Sequence, residues 1–240
     1  LLLDAEPVRS GEDEVAAAMR LLERVLASYP RAFDVVIADA LYADPRFFTF
    51  VREHEKHTLT VLKNEKRDLI RDVRSLCEVT APVEIVSGKR QCQCWDRNGL
   101  KSWPQVGMPV RVVRSEERWS VRRQLDGELE QQVSDWLWGT TLPKSLANTA
   151  AIREIGHSRW TIENEGFNEL VTRWHGDHVY KHEDSAMLSF WLICLIAYNV
   201  FQAFFLLNLK PQAREKYSML HLARLISSCL YAGIPSRAPG

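Results

Sequence analysis

The sequence has no excess charge, few cysteines, and no internal repeat or low-complexity segment. The 31 Lys and Arg residues balance 31 Asp and Glu residues, and a formal net charge of zero argues against a protein that binds polyanions over its whole surface. The five cysteines are an odd number without zinc-ligand spacing, which indicates reduced thiols rather than a disulfide framework. No Ser-His-Asp or Cys-His arrangement is evident, so nothing indicates covalent catalysis.

The sequence contains enough hydrophobic residues to form a sizeable core. Of the 240 residues, 46% are hydrophobic and 26% are charged, which suits a globular chain of one or two domains. The basic residues form two local groups, one within residues 157–182 and one within residues 89–123. Either group could contact phosphates, although ordinary solvated faces would show the same pattern.

The most informative segment is Arg159-Trp160-Thr161-Ile162-Glu163. Arg159 and Glu163 are four residues apart, so on a helix they lie on one face. An amphipathic surface helix with an ordinary Arg–Glu pair would show the same spacing. The choice between these two interpretations depends on what else the chain carries.

A second segment, residues 35–38, is apolar and rich in Val and Ile, which predicts a buried strand. Asp39 and Tyr42 follow it, and Asp44 with Pro45 predicts the cap and first position of a helix. Open α/β sheets usually bind their ligands at the carboxyl ends of parallel strands. Asp39 is therefore a candidate ligand-binding residue, and a simple turn cap is the alternative.

Together the two segments resemble the DDE transposases of cut-and-paste bacterial insertion sequences, of the Arg-Trp-x-Ile-Glu type. The resemblance extends over nearly the whole chain. It implies that Asp39 and Glu163 are the second and third carboxylates of a site that cuts and joins DNA by a two-metal mechanism. In the complete enzyme it implies two ions of Mg²⁺ or Mn²⁺, since paired cations stabilise the attacking and leaving oxygens in displacement at phosphorus.

The resemblance also implies a set of DNA-binding residues. Arg159 matches the family directly and is expected to contact a phosphate near the transposon end. Trp136 matches the residue that receives a flipped base, with core packing as the alternative. The other members of the set are basic residues close to the helix: His157, Arg173, His178 and Lys181. A zinc site formed by His175, His178 and His182 is less favoured than DNA contact or simple exposure of these side chains.

The chain departs from the family at two positions and lacks one expected residue. Where the family has a tyrosine seven residues before the glutamate and a lysine seven after it, this chain has Gly156 and Leu170. The family's first aspartate lies on the first strand of its sheet, and Asp4 stands too close to Asp39 to take that place. Residues 1–4 resemble the third strand instead. We therefore expect a carboxyl-terminal fragment of a transposase that is inactive alone because the first aspartate is absent.

The predicted fold class is α/β. We expect a ribonuclease-H-like catalytic core without its first strands, a β-rich insertion and a C-terminal apolar helix. The core comprises residues 1–63 and 134–209, the insertion residues 64–133, and a helical tail residues 210–240. Two other functions stay open for the chain: a non-catalytic DNA-binding remnant of a transposase, and a ribonuclease-H-like nuclease.

The segment 187–209 competes for a membrane interpretation because it is nearly all apolar and long enough to cross a bilayer. Ser189, Asn199 and Gln202 interrupt it, so a helix buried on most sides within a soluble core is the favoured prediction. The expected partners are DNA, at the transposon ends and the target, and a second copy of the chain in a homodimer, with no membrane. The expected location is the bacterial cytoplasm, in association with the nucleoid.

Overall fold

A computed structural model describes residues 1–63, 68–123, 127–176 and 182–233. By its contacts the chain forms two compact units, one of residues 8–164 and one of residues 1–7 with 165–240. The first unit contains the sheet, and its elements are α1 (Glu14–Ser28), β1 (Val35–Ala38), α2 (Pro45–Glu53), β2 (His57–Val61), α3 (Asp68–Glu78), β3 (Val83–Ser87), β4 (Arg90–Leu100), β5 (Val110–Arg122), β6 (Leu129–Thr140) and α4 (Thr149–Thr161).

The sheet has six strands in the order β1-β2-β6-β5-β4-β3. Strands β1 and β2 are parallel, and every other neighbouring pair is antiparallel. Val61 of β2 pairs with Trp138 of β6, and Trp138 pairs with Val113 of β5. The strands β3, β4 and β5, which lie within residues 64–133, therefore extend the same sheet that begins with β1 and β2.

Helix α4 covers one face of this sheet. Its Ile152 is fully buried in a cluster with Leu59 and Trp138, and Val35 and Ile37 of β1 pack against that cluster. The alternate residues of β1, Val36 and Ala38, pack instead in the cluster that contains Val15 of α1 and Phe47 of α2. Because strand side chains alternate between faces, α4 lies on one side of β1 and helices α1 and α2 on the other.

Local signals predicted the start of α2 correctly. The Asp44 carboxylate accepts a hydrogen bond from the Arg46 backbone N–H at 2.8 Å, and Pro45 is the first helical residue. The short strand β1 also lies where the Val- and Ile-rich segment predicts it. The mixed α/β class is confirmed. The ribonuclease-H-like assignment and the four-part division stay predictions, and the boundary placed after residue 133 falls inside β6.

The second unit is helical. Its elements are a π-helical segment (Ile162–Phe167, which begins at the end of the first unit), α5 (Asn168–Trp174), α6 (Asp184–Ala203), a second π-helical segment (Phe204–Asn208), α7 (Pro211–Lys216) and α8 (Met219–Gly233). Leu170, Leu195 and Tyr198 form its small core, against which Leu2 and Trp174 pack.

The prediction of a strand at residues 1–4 is wrong. The Leu2 backbone is bound by a side chain: its N–H donates to Asn199 Oδ1 at 2.9 Å, and its carbonyl accepts from Asn199 Nδ2 at 2.5 Å. A single asparagine thus supplies both hydrogen bonds that a neighbouring strand would have supplied.

The prediction of an apolar helix buried on most sides is also wrong. The segment Asp184–Asn208 is long and apolar enough to cross a membrane, with a mean hydropathy of 2.0. Only 11% of its 18-residue apolar window is buried within the fold. Ile193, Ile196 and Val200 are each more than 60% exposed and share one face of α6. The small core around Leu195 and Tyr198 covers only the opposite side, so packing does not enclose the helix. By length and composition alone, the helix is weak support for a membrane span.

Candidate active site

Asp39 follows the last residue of β1 and caps the turn Ala40–Tyr42. Its Oδ1 accepts a hydrogen bond from the Leu41 backbone N–H at 2.8 Å. The residue is exposed, and Oδ2 has no hydrogen-bond partner in the part of the chain that the structure describes. The turn cap is therefore present, and it leaves one carboxylate oxygen accessible.

Tyr42 lies one turn after Asp39 and is held by α1 and α2. Its hydroxyl donates to Glu14 Oε1 at 2.9 Å, and its ring packs at 5.2 Å from the ring of Phe47. Burial raises the pKa of Tyr42, and the hydrogen bond to Glu14 and the nearby charges of Glu14 and Asp39 raise it further. The phenol therefore stays neutral beside Asp39 and acts as a hydrogen-bond donor.

Arg159 and Glu163 form an ion pair at the end of α4. Arg159 Nη1 donates to Glu163 Oε1, and the two side chains are 13% and 49% exposed respectively. The buried Arg159 Nε has no hydrogen-bond acceptor among the described residues. Arg159 and Glu163 therefore lie on one helical face, as their spacing predicts. The larger part of the Arg159 side chain is covered, while its partner carboxylate is half open to solvent.

The elements that carry Asp39 and Glu163 belong to one side of the sheet. Asp39 continues the alternation of Val35 and Ile37, which face the helix α4. Glu163 follows directly after α4, in the segment Ile162–Phe167. Across the described ranges of the chain, no group of three or more His, Cys, Asp or Glu side chains forms a metal-binding cluster. Both carboxylates offer the oxygen atoms that Mg²⁺ prefers, so their chemistry fits such an ion.

The structure adds a carboxylate that the sequence analysis missed. Glu117 of β5 is fully buried, and its oxygens accept four hydrogen bonds. Oε1 accepts from Arg153 Nε at 2.8 Å, His157 Nε2 at 2.6 Å and Ser115 Oγ at 3.2 Å, and Oε2 accepts from Arg90 Nη1 at 2.9 Å. Burial alone would raise the pKa of Glu117, but the bonds from His157, Arg153 and Arg90 outweigh it and hold that pKa far below its usual range.

A cavity of about 590 Å³ opens beside this carboxylate. Its lining includes three indole rings and several cationic groups. The residues of chief interest in its lining are Arg90, Trp119, Trp136, Arg153, His157 and Trp160. The Arg90 guanidinium lies 4.2 Å from the centre of the Trp119 ring. A concave surface of aromatic planes and cations suits nucleic acid, because bases stack on rings and phosphates pair with cations.

Two predicted DNA-binding residues, Trp136 and His157, meet in this cavity. Their rings pack edge-on with centres 5.4 Å apart, and Trp136 also stacks on Trp138 at 6.0 Å. Trp136 is half-buried, so core packing and an exposed ring edge coexist there. Of the remaining predicted residues, His178 and Lys181 lie outside the described residues, as does the Arg173 side chain. Of the three histidines proposed for a zinc site, only His175 and His182 lie within the described residues.

One departure from the family pattern has a local cause. Gly156 is buried where α4 crosses the sheet, and a Cβ atom there would collide with the indole of Trp138. Trp138 thus occupies the space that any larger residue at position 156 would need. The other departure, Leu170, is 1% exposed and belongs to the core of the second unit.

Comparison with known protein families assigns the class. Residues 6–200 match the family described as the transposase DDE domain, which is most of the chain. The chain therefore belongs to the DDE transposase family, whose members act on DNA in transposition and recombination and typically use divalent metal ions. A search among curated proteins found no match.

Proposed function

We propose that this protein cleaves DNA at the ends of an insertion sequence and joins those ends to a target, by a two-metal mechanism. The observation that supports the proposal is that the elements that carry Asp39 and Glu163 lie on one face of the sheet. Asp39 ends a parallel strand on the face covered by α4, and the segment directly after α4 carries Glu163. We place both elements in a ribonuclease-H-like core.

In this proposal Asp39 and Glu163 hold Mg²⁺ or Mn²⁺. The bound ions would supply stabilisation of negative charge on the attacking and leaving oxygens at phosphorus. Asp39 Oδ1 is fixed by the Leu41 N–H, so the carboxylate is held in orientation while Oδ2 stays open. Glu163 would exchange its bond to Arg159 for the ion, which would release the guanidinium to bind a DNA phosphate in the bidentate manner open to arginine.

DNA binding falls to the cationic and aromatic groups near α4. Arg159, His157 and Trp136 are the described candidates, and Arg173, His178 and Lys181 complete the proposed set. We propose that the protein works as a homodimer that holds two DNA ends, in the bacterial cytoplasm at the nucleoid. The 240-residue chain is expected to bind Mg²⁺ weakly and to cut no DNA, because the described residues form no group of three or more metal-binding side chains.

The direct test uses the protein encoded by its whole gene and a labelled duplex of the element's terminal repeat. Asp39→Asn and Glu163→Gln should each abolish cleavage while leaving binding of the duplex largely intact. Asp34→Asn, at the other end of β1, and Glu23→Gln, on α1, are matched controls because both residues are exposed carboxylates. Equal loss of binding and cleavage in the Asp39 and Glu163 variants would instead assign them a structural role.

The same assay separates the two alternatives. A ribonuclease-H-like nuclease would cut the duplex without joining the labelled end to target DNA. A non-catalytic remnant would bind the duplex and neither cut nor join it. The Arg159–Glu163 pair gives the remnant some support, because it satisfies Glu163 without a metal ion.

A further inference from the structure

The buried carboxylate of Glu117 organises one face of helix α4. Arg153 and His157 are four residues apart, so both project from the same side of the helix. Both donate to the same atom, Glu117 Oε1, at 2.8 and 2.6 Å. Arg90 of β4 closes the network from the sheet by its bond to Oε2. One carboxylate thus connects two strands to the helix whose end carries Arg159.

The network also determines which nitrogen of His157 carries a proton. An ionised carboxylate only accepts hydrogen bonds, so His157 Nε2 must donate. The ring packs edge-on against two stacked indoles, with its centre 5.4 Å from that of Trp136 and 5.1 Å from that of Trp138. Nδ1 is then the one remaining polar atom of the ring, and His157 lines the cavity. A neutral ring offers a lone pair at Nδ1, and a protonated ring offers a donor.

The charges that surround the ring come from three elements. Glu117 reaches it from β5 and Arg90 lies behind that carboxylate on β4. Arg153 and Glu154 are on α4 itself, and both line the same cavity. Two arginines and two carboxylates leave these four groups without net charge, so the protonation of His157 decides whether this wall of the cavity is positive.

We infer that Glu117 is a positioning residue of the DNA-end site: it holds His157 with Nε2–H inward, so that Nδ1 takes up a proton and donates to a DNA phosphate. The inference rests on the proposed function. Binding of the DNA end then consumes a proton, so affinity should rise as pH falls. The Glu117 carboxylate itself never touches DNA, because it is fully buried.

The test is the pH and salt dependence of binding, measured by fluorescence anisotropy on the labelled terminal-repeat duplex. For the wild-type protein we expect affinity to fall between about pH 5 and pH 8, by at most about tenfold per pH unit, the limit for one linked proton. His157→Gln keeps an N–H donor for Glu117 but cannot become cationic. It should remove this pH dependence and lower the slope of log affinity against log salt by about one.

Two further variants separate positioning from folding. Glu117→Gln should remove the pH dependence of binding as His157→Gln does, and the double variant should show no further change in that pH dependence, because the two residues act as one unit. His221→Gln, an exposed histidine on α8, should keep the wild-type pH dependence. If Glu117→Gln fails to fold, the comparison of His157→Gln with His221→Gln decides the matter, with melting temperatures as a check.

Wild-type pH dependence and salt slope in His157→Gln would overturn the inference and leave Glu117 as a structural group. That outcome is distinct from failure of the proposed function, which is judged by cleavage in the Asp39 and Glu163 variants. A protein that cleaves and joins DNA but shows no effect of His157 loses only this inference.

Discussion

Arg111 and Asp96 form a bidentate ion pair in the interior of the sheet, with Nε donating to Oδ1 at 2.9 Å and Nη2 to Oδ2 at 2.8 Å. The side chains are 2% and 4% exposed. The third nitrogen, Nη1, donates to the carbonyls of Leu142 and Ala147, in the loop that leads into α4. Thr149 at the start of α4 donates to Asp96 at 2.8 Å, so this pair fixes where the helix begins.

Replacement of Arg111 should therefore lower the stability of the protein strongly. We expect Arg111→Met to lower the free energy of unfolding by roughly 3–5 kcal/mol, because it leaves a buried carboxylate without its partner. The matched control is Arg71→Met, which breaks an exposed pair with Asp68 and should cost less than about 1 kcal/mol. Urea denaturation of both variants tests the difference, and equal small losses would show that Arg111 is dispensable.

The acid stability of the protein should depend on Glu117. Its pKa in the fold lies far below the ordinary value of 4.5, so its ionised form contributes stability above that value. The contribution is lost as pH falls below about 4.5 toward the lowered pKa. The free energy of unfolding, measured from pH 7 down to about pH 3, should therefore fall more steeply with pH for the wild type than for Glu117→Gln. An equal fall of the free energy of unfolding with pH in the two proteins would contradict the lowered pKa of Glu117.

The close approach of α4 to the sheet predicts the effect of a single methyl group. Gly156→Ala places a Cβ against the indole of Trp138, which is itself fully buried, and should destabilise the protein by about 1–3 kcal/mol. Gly166→Ala is the control because no atom lies within 4 Å of a Cβ there. Thermal unfolding measures both, and a Gly156→Ala variant as stable as wild type would mean that Trp138 can move.

Arg159 should act on DNA rather than on folding. Arg159→Ala should weaken binding of the terminal-repeat duplex and reduce its salt slope by about one. Arg159→Lys should recover the charge but only part of the affinity, since lysine cannot bind phosphate bidentately. The side chain is only 13% exposed, so the opposite outcome is well defined: a lower melting temperature with an unchanged salt slope makes Arg159 the structural partner of Glu163.

Local chemistry explains what the sequence predicted. The strand β1 and the start of α2 follow from neighbouring residues, namely the Val–Ile run and the Asp44–Pro45 cap, and tertiary packing did not alter them. Asp39 was found as the residue that follows the Val- and Ile-rich strand, and the Arg159–Glu163 pair by its four-residue spacing, while the resemblance to DDE transposases supplied their catalytic interpretation. Which carboxylates approach one another depends on the crossing of α4 over the sheet, and no local pattern encodes that crossing.

Glu117 shows the limit of such reasoning. It lies among Glu116, Arg118 and other charged residues of β5, which together are typical of a solvated strand. Its partners Arg153 and His157 are 36 and 40 residues away along the chain. Strand parity would have provided a signal, since Glu117 shares the face of the buried Val113 and Ser115. A charge on a covered face needs partners, and α4 supplies them.

The exposed stripe of α6 has a consequence for the colloidal stability of the protein. Ile193, Ile196 and Val200 present an apolar surface to water, while the formal net charge is zero and the isoelectric point is about 7.2. At neutral pH there is no mutual repulsion to keep molecules apart when such surfaces meet. Concentrated solutions should therefore be clearest well away from pH 7, and turbidity should fall when Ile196 is replaced by glutamate.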